Sequence, residues 1–330
     1  MNIETVYVER GVRGHARTQS IIARSNPRRV IEIEHYGEVF NRKRQNFRHQ
    51  KASPALIIGR KTGPKLLPIP AQHGLDEHPG YYFSHMLNCL YDCRYCFLQG
   101  MFRSAHYLVF VNFEDFIDEI ANKAGQSESP WWLFSGYDCD SLALEPVTAF
   151  AEHFVPEIQC RPHVKLELRT KSTQVRWLLN HDPSENIVVA YSLNPDEVCR
   201  RYEHRAPLLL SRLRALAAVQ AEGWPIGLRF DPLILTPDFK QVYARFLQQT
   251  ASAIDCDRIH SITAGCFRLP RDQFRRIERL YPEEPLFAQA LDESSKVVTY
   301  DAAAINEMRD WMLNEIGRHF GTRHAVQIMA

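Results

Sequence analysis

Stretches with strand character alternate with stretches of helical periodicity from residue 81 onward, and this alternation constrains the fold more than any other feature. The predicted strands are rich in β-branched and aromatic residues, and they cover 81–86, 131–135, 164–170, 187–191, 226–230 and 258–263. Helical spacing separates them, for example at Phe113, Phe116 and Ile120, and in the amphipathic stretch 208–221 before Gly223. Six strands that alternate with helices predict a parallel sheet with right-handed crossovers, either open or curled into a partial barrel.

The sequence divides into three predicted parts. Residues 1–75 form a small N-terminal α/β unit with basic stretches between strand-like pieces, and prolines at its end predict an extended connector. Residues 76–265 contain the six alternating strands. Residues 266–330 form a helical C-terminal extension, in which Asp301 is predicted to cap the last helix.

Three cysteines lie in one short run, Cys89, Cys93 and Cys96, with the spacing Cys-x3-Cys-x2-Cys. The run is too tight and asymmetric for a disulfide pair. Three thiolates at this spacing can bind three irons of a 4Fe–4S cube and leave the fourth iron open for chemistry. A zinc site or three unrelated thiols are the alternatives, but zinc usually takes four ligands from paired knuckles and the chain has no second Cys-x-x-Cys.

This run, followed by Phe97-Leu98-Gln99, resembles the radical S-adenosylmethionine (SAM) superfamily, and residues 93–99 are most similar to spore photoproduct lyase. The resemblance extends over nearly the whole chain and is most specific at 89–99. It implies an α/β fold with a partial (β/α)6 radical SAM barrel, a 4Fe–4S cluster held by Cys89, Cys93 and Cys96, and SAM as the second cofactor.

Further candidate residues follow the predicted strands, where the active sites of parallel α/β folds are built. Cys139 matches the hydrogen-donating cysteine of the family, and a thiol packed as a small hydrophobe is the alternative. Ser141, Lys171 and Ser192 match family positions that contact SAM. A turn-forming serine or a solvent-facing lysine is the alternative reading of each position.

The sequence departs from the family pattern in two places. The family has a tyrosine on each side of the last cluster cysteine, and both are implicated in moving a hydrogen atom; this chain has Tyr95 but also Phe97, which has no O–H. A relay here would be shorter, use Tyr137 or Tyr91, or end at Cys139. The family also has a basic, aromatic hairpin that presses on DNA, whereas residues 290–297 are short and partly acidic.

The net charge of the chain is only +1, but the charge is unevenly distributed. Residues 9–65 contain 14 Lys and Arg against 4 Asp and Glu. DNA is therefore a predicted partner through this basic segment, and a solvated surface with scattered charges is the alternative. Eight cysteines without a secretion signal or a long apolar run predict a cytoplasmic protein with no membrane span.

These features together predict a radical SAM lyase that abstracts hydrogen from a thymine dimer in DNA and reverses it. An electron donor such as flavodoxin or ferredoxin is a second predicted partner. The alternatives are a radical SAM enzyme that acts on a peptide, a tRNA or a small metabolite, and a non-catalytic metal protein that binds nucleic acid through residues 9–65.

Overall fold

The computed structural model describes residues 3–69, 75–126, 128–321 and 325–329 of the chain. In chain order, its strands are β1 Thr5–Glu9, β2 Arg29–Ile33, β3 Leu56–Gly59, β4 Leu67–Pro68, β5 Gly80–Tyr82, β6 Met86–Leu87, β7 Asp92–Cys93, β8 Tyr107–Phe110, β9 Trp131–Phe134, β10 Val164–Thr170, β11 Ile187–Ser192, β12 Glu203–His204, β13 Ile226–Leu233, β14 Ile259–Cys266, β15 Arg268–Pro270, β16 Val297–Thr299 and β17 Ala325–Met329. Its α-helices are α1 Ala16–Ser25, α2 Phe47–Ala52, α3 Phe113–Ala124, α4 Glu145–Thr148, α5 Phe150–Gln159, α6 Asp196–Tyr202, α7 Leu209–Ala221, α8 Phe239–Ala251, α9 Arg271–Leu280 and α10 Ala302–Phe320.

The chain forms two compact units, one made of Met1–Leu90 and Gly100–Leu168 and the other of Tyr91–Gln99 and Arg169–Ala330. The three-part division expected from the sequence remains a prediction. The cysteine run is shared between the units, because Cys89 belongs to the first unit and Cys93 and Cys96 belong to the second.

The first unit contains a five-stranded sheet with the order β2-β1-β3-β8-β6. Its strands are parallel except for β6, which runs antiparallel to β8. Alternate residues such as Val6, Val8 and Ile58 are buried in its core. The sequence did not reveal β8, which joins the N-terminal strands although it lies beyond the cysteine run.

The first unit also contains β4, β5, β9 and β10 as neighbours in that order. Strand β5 is parallel to β9, and β9 is parallel to β10. The prediction of one strand over 81–86 is wrong, because β5 ends at Tyr82 and β6 begins at Met86 in the other sheet. Phe83 lies between these strands, where it stacks on Phe154 with ring centroids 5.0 Å apart. This packing fixes the chain on either side of the bend.

The second unit contains β11, β13, β14 and β17 as parallel neighbours in that order. The predicted strands 187–191, 226–230 and 258–263 are found here, each with a longer or shifted end. Helix α7 stops before Gly223, whose φ of 93° is the left-handed conformation expected of a terminating glycine. Asp301 caps α10 by accepting a hydrogen bond from the Ala304 N–H at 2.9 Å, as predicted.

Short antiparallel pairs complete the second unit. Strands β7 and β12 form one pair, with Cys93 opposite Glu203. Strands β15 and β16 form the other pair, and residues 292–299 fold back on themselves through a bridge between Asp292 and Thr299. In the part of the chain that the structure describes, no helix has both the length and the apolar character needed to cross a membrane.

Candidate active site

Cys89 follows a sharply turned segment of the first unit. Asn88 adopts a positive φ of 69°, and its side-chain amide donates to the carbonyls of Ser104 and His106 at 2.8 and 2.7 Å. The Cys89 carbonyl accepts a hydrogen bond from Lys51 Nζ at 3.1 Å. These bonds fix the backbone at the first cysteine of the run.

Cys93 and Cys96 lie on one tight turn of the second unit. The Cys96 N–H donates to the Cys93 carbonyl at 3.1 Å, and the Arg94 N–H between them donates to the Tyr202 carbonyl at 2.8 Å. The pairing of β7 with β12 therefore continues into the turn. A turn tied to a neighbouring strand presents two thiols from a fixed backbone.

Residues far along the sequence hold the end of this cysteine turn. Gln273 on α9 donates through Nε2 to the carbonyls of Phe97 and Gln99 at 2.6 and 2.8 Å. The Gln99 side chain donates to the Cys93 carbonyl at 3.2 Å and accepts from the Tyr281 hydroxyl at 3.0 Å. No local signal in the sequence marks Gln273 or Tyr281, since each is more than 170 residues from its partner in the turn.

A buried polar network surrounds Tyr95 in the middle of the turn. The Tyr95 hydroxyl donates to Glu203, which also forms an ion pair with Arg212, and both charged side chains are fully buried. Asn194 donates to the same carboxylate oxygen at 3.1 Å. Burial alone would raise the pKa of Glu203, but the positive charges of Arg212 and Lys171 lower it to about 2. Glu203 is therefore a carboxylate at neutral pH.

The same network keeps Tyr95 in its neutral form. Burial raises the pKa of the Tyr95 phenol well above its ordinary value, and the negative charge of Glu203 raises it further. The phenol therefore retains its O–H, and that hydrogen points at Glu203. The sequence marks Tyr95 but not Glu203 or Arg212, because charged residues outside a motif are usually solvent-exposed.

Lys171 and Ser192 lie in the second unit at the ends of β10 and β11. The Lys171 Nζ lies 5.7 Å from the centre of the Tyr95 ring. Burial would lower the pKa of Lys171, but the negative charges of Glu203, Cys93 and Cys96 raise it, so the side chain is a cation beside the cysteine turn. Ser192 is buried, and its carbonyl accepts a hydrogen bond from Arg212 at 3.1 Å.

Cys139 and Ser141 lie in the first unit on the loop after β9. The Cys139 thiol is buried and donates to the Ser135 carbonyl at 3.7 Å. Burial raises the pKa of Cys139 well above its ordinary value, and the negative charges of Cys89, Asp138 and Asp140 raise it further. Cys139 therefore keeps its S–H and lies within electrostatic range of Cys89.

Ser141 is held by the same loop. Its Oγ lies 2.8 Å from Ser135 Oγ, and the Ser135 hydroxyl donates to the Glu167 carbonyl at 3.0 Å. Because Ser135 has one hydroxyl hydrogen, Ser141 is the donor in this pair. The lone pairs of Ser141 Oγ are left to accept hydrogen bonds.

The cysteine ligands fit an iron–sulfur cluster by their chemistry. Cys89, Cys93 and Cys96 form no disulfide in the described part of the chain, and thiolates are the usual protein ligands of such clusters. The cationic Lys171 places a positive charge near Cys93 and Cys96. Among the residues that the structure describes, no group of three or more His, Cys, Asp or Glu side chains lies close enough to hold a metal ion, so the three-cysteine ligand set remains a prediction.

The sequence and the fold are both similar to known proteins. A family model described as spore photoproduct lyase matches residues 78–320. The chain is 26% identical over 261 residues to spore photoproduct lyase of Bacillus subtilis (strain 168), which covers 76% of this chain and 72% of the relative. It is 19% identical over 243 residues to spore photoproduct lyase of Clostridium acetobutylicum, covering 70% of this chain and 71% of that relative.

Solved structures show the same fold over almost the whole chain. One is a spore photoproduct lyase mutant with bound AdoMet and dinucleoside spore photoproduct; it has a TM-score of 0.83 and 17% identity, and the match covers 99% of this chain and 98% of that one. Another is spore photoproduct lyase complexed with dinucleoside spore photoproduct, with the same TM-score, identity and coverage. This likeness confirms the predicted α/β fold with a radical SAM partial barrel.

Proposed function

Because the chain belongs to the spore photoproduct lyase family, we propose that it is a radical SAM lyase that repairs the thymine dimer known as spore photoproduct in DNA. The observation that carries this conclusion is the family match over residues 78–320, which includes the cysteine run, Cys139 and the ends of β10 and β11. The cofactors are a 4Fe–4S cluster and SAM. When bound, they supply the one-electron chemistry that generates a 5′-deoxyadenosyl radical.

Cys89, Cys93 and Cys96 would hold the cluster through their thiolates. The support is their spacing and the hydrogen bonds that fix the backbone on both sides of the run. Three protein ligands would leave one iron open, which is where a substrate or cofactor can bind.

Lys171, Ser192 and Ser141 would bind SAM. The Lys171 cation suits the carboxylate of the methionine end, and Ser141 Oγ has lone pairs that can accept a hydrogen bond from an amino or hydroxyl group. Ser192 lies at the carboxyl end of β11, where ligands of parallel sheets usually bind.

Cys139 would donate the hydrogen atom that completes the repair. Its S–H bond breaks so that the hydrogen atom moves to the carbon radical of the opened dimer, and one unpaired electron remains on sulfur. The raised pKa of Cys139 supports this role because a thiolate has no hydrogen to give. Burial of the thiol also keeps water and oxygen away from the sulfur radical.

Tyr95 would provide a second hydrogen source, since its phenol is neutral and retains its O–H. The other flanking position is Phe97, which cannot take part. We further propose that flavodoxin or ferredoxin supplies the electron and that the reaction takes place in the cytoplasm, where DNA and low-potential donors are both present.

The test is an anaerobic repair assay. Protein reconstituted with iron and sulfide is incubated with SAM, dithionite and dinucleoside spore photoproduct, and thymidine products and 5′-deoxyadenosine are measured by chromatography. The proposal expects both products from the wild-type chain and neither from Cys93→Ala. Formation of 5′-deoxyadenosine without any repair, on the dinucleoside or on DNA, would mean that the substrate is a different molecule.

A further inference from the structure

The basic N-terminal segment separates into paired and unpaired cations. Six of its arginines form ion pairs with carboxylates of the first unit: Arg10 and Arg13 with Glu32, Arg17 with Glu114, Arg24 with Glu152, Arg28 with Glu4, and Arg60 with Asp115. Their charge is largely neutralised locally. They therefore contribute little to attraction of an anionic partner, although they make up much of the charge surplus read from the sequence.

Three consecutive cations between β2 and α2 differ from these arginines in their ion pairing. Arg42, Lys43 and Arg44 are exposed, as is Arg103, and none of the four has an ion pair with a carboxylate in the described part of the chain. Arg42 donates to the Glu38 carbonyl at 3.1 Å, an uncharged acceptor. We call these four side chains the basic patch.

The two segments that carry the basic patch are held against each other. Phe40 packs on Phe102 with ring centroids 5.1 Å apart, and the Arg103 N–H donates to the Asn41 side chain at 2.8 Å. Asn41 and Arg44 both adopt a positive φ, 60° and 61°. A loop with two left-handed residues and a side-chain tie to a second segment has a defined shape, so its cations are presented together rather than on a freely moving tail.

We infer that the basic patch binds the phosphate backbone of duplex DNA, an inference that rests on the proposed repair function. Arginine matches phosphate oxygens through two parallel hydrogen bonds, and an unpaired exposed arginine can bind phosphate without first breaking an ion pair. The molecule as a whole has a net charge of only +1, so attraction of DNA has to come from a local concentration of positive charge.

The C-terminal segment 292–297 is a weaker candidate for contact with the DNA phosphate backbone. Residues 292–297 lie in the segment that the bridge between Asp292 and Thr299 closes. They include two acidic residues, Asp292 and Glu293, and one basic residue, Lys296. The Asp292 carboxylate accepts the Ser294 N–H at 2.7 Å, which keeps a negative charge within this turn. The basic patch is thus the better phosphate site of the two.

The test measures binding of the anaerobic holoprotein to a fluorescent, undamaged duplex at several salt concentrations. For the triple variant Arg42→Gln, Lys43→Gln, Arg44→Gln we expect the slope of log K against log salt to fall by about 2 to 3. Affinity near 0.15 M salt should weaken by about 10- to 100-fold. The single variant Arg103→Gln should lower the slope by about 1.

The matched control is Arg10→Gln, Arg13→Gln, Arg28→Gln, which removes the same charge from ion-paired positions of the same segment. Equal slopes for the control and patch variants, or an unchanged slope in both patch variants, would overturn the inference. Circular dichroism melting identifies any variant that has lost its fold. If the triple variant has lost its fold, the salt dependence of Arg103→Gln decides the test. The readout is independent of the repair assay: a protein that binds DNA through the patch but repairs nothing would refute the proposed function and leave this inference standing.

Discussion

Tyr95 donates its hydroxyl hydrogen to Glu203, and Glu203 is at the same time the ion-pair partner of the buried Arg212. The residue between two of the predicted cluster ligands is therefore anchored to a charge pair that has no contact with solvent. Such pairs seldom add net stability compared with apolar packing, but they are costly to break. Beside the cysteine turn, this pair fixes the position of Tyr95 through the hydrogen bond to Glu203.

Replacing Glu203 with Gln should destabilise the protein strongly. The change leaves the Arg212 cation buried without a counter-charge, which costs about 3 to 5 kcal/mol. Urea unfolding of the cluster-free protein measures this free energy. The control is Glu197→Gln, which breaks the exposed pair with Arg245 and should cost less than about 1 kcal/mol. Similar losses for the two variants would contradict the buried network.

Replacing Cys139 with Ala should leave SAM cleavage intact but impair the final hydrogen transfer to the product. Because Cys139 is predicted to give hydrogen only after the dimer has opened, iron content and 5′-deoxyadenosine formation should stay near wild type. The rate at which correctly repaired thymidine forms should fall at least about tenfold, which corresponds to about 1.4 kcal/mol of barrier. Chromatography of the nucleosides measures it.

The matched control for that variant is Cys160→Ala, which removes an exposed thiol from the same unit. It should repair normally. Wild-type repair by Cys139→Ala would remove this cysteine from the mechanism.

Glu145 should make stability depend on pH in a direction opposite to that of most carboxylates. Burial raises its pKa to about 7, against the hydrogen bond that its carboxylate accepts from the Ala151 N–H at 2.9 Å. The folded state therefore binds a proton that the unfolded state releases near pH 4.5. Stability from this group is greatest at low pH and falls as the pH rises through 7, by up to about 3 kcal/mol.

The variant Glu145→Gln tests this directly, since its amide oxygen can still accept from Ala151. Between about pH 5 and about pH 8, wild type should lose roughly 2 to 3 kcal/mol more unfolding free energy than the variant. Glu278→Gln, at an exposed position of α9, should keep the wild-type pH profile. A Glu145→Gln profile identical to wild type would show that the carboxyl is ionised in the folded protein.

The sequence predicted the elements whose signals are local. Helix α3 follows from Phe113, Phe116 and Ile120, which are all buried at helical spacing, and the end of α7 follows from Gly223. The strand over 81–86 was wrongly predicted as one element because aromatic residues continue from Tyr81 through Phe83. The bend there is caused by packing against α5, which residue types alone do not encode.

The candidate site was predictable only where a motif marks it. The cysteine run and Cys139 stand out by spacing and by their position after strands. Gln273 and Glu203 do not stand out, because their roles depend on hydrogen bonds to residues 97 and 95 that lie more than 100 positions away. Long-range contacts of this kind follow from the fold and not from any local pattern.

The most direct measurement of the central claim is iron, sulfide and SAM chemistry in matched cysteine variants. Wild type, Cys96→Ala and the control Cys199→Ala are reconstituted without oxygen, and iron, sulfide and 5′-deoxyadenosine are counted for each. The account predicts about four irons per chain and SAM cleavage for wild type and the control, with SAM cleavage lost in Cys96→Ala. A wild-type protein that takes up zinc instead, or that holds the cluster and cleaves SAM equally well without Cys96, would contradict it.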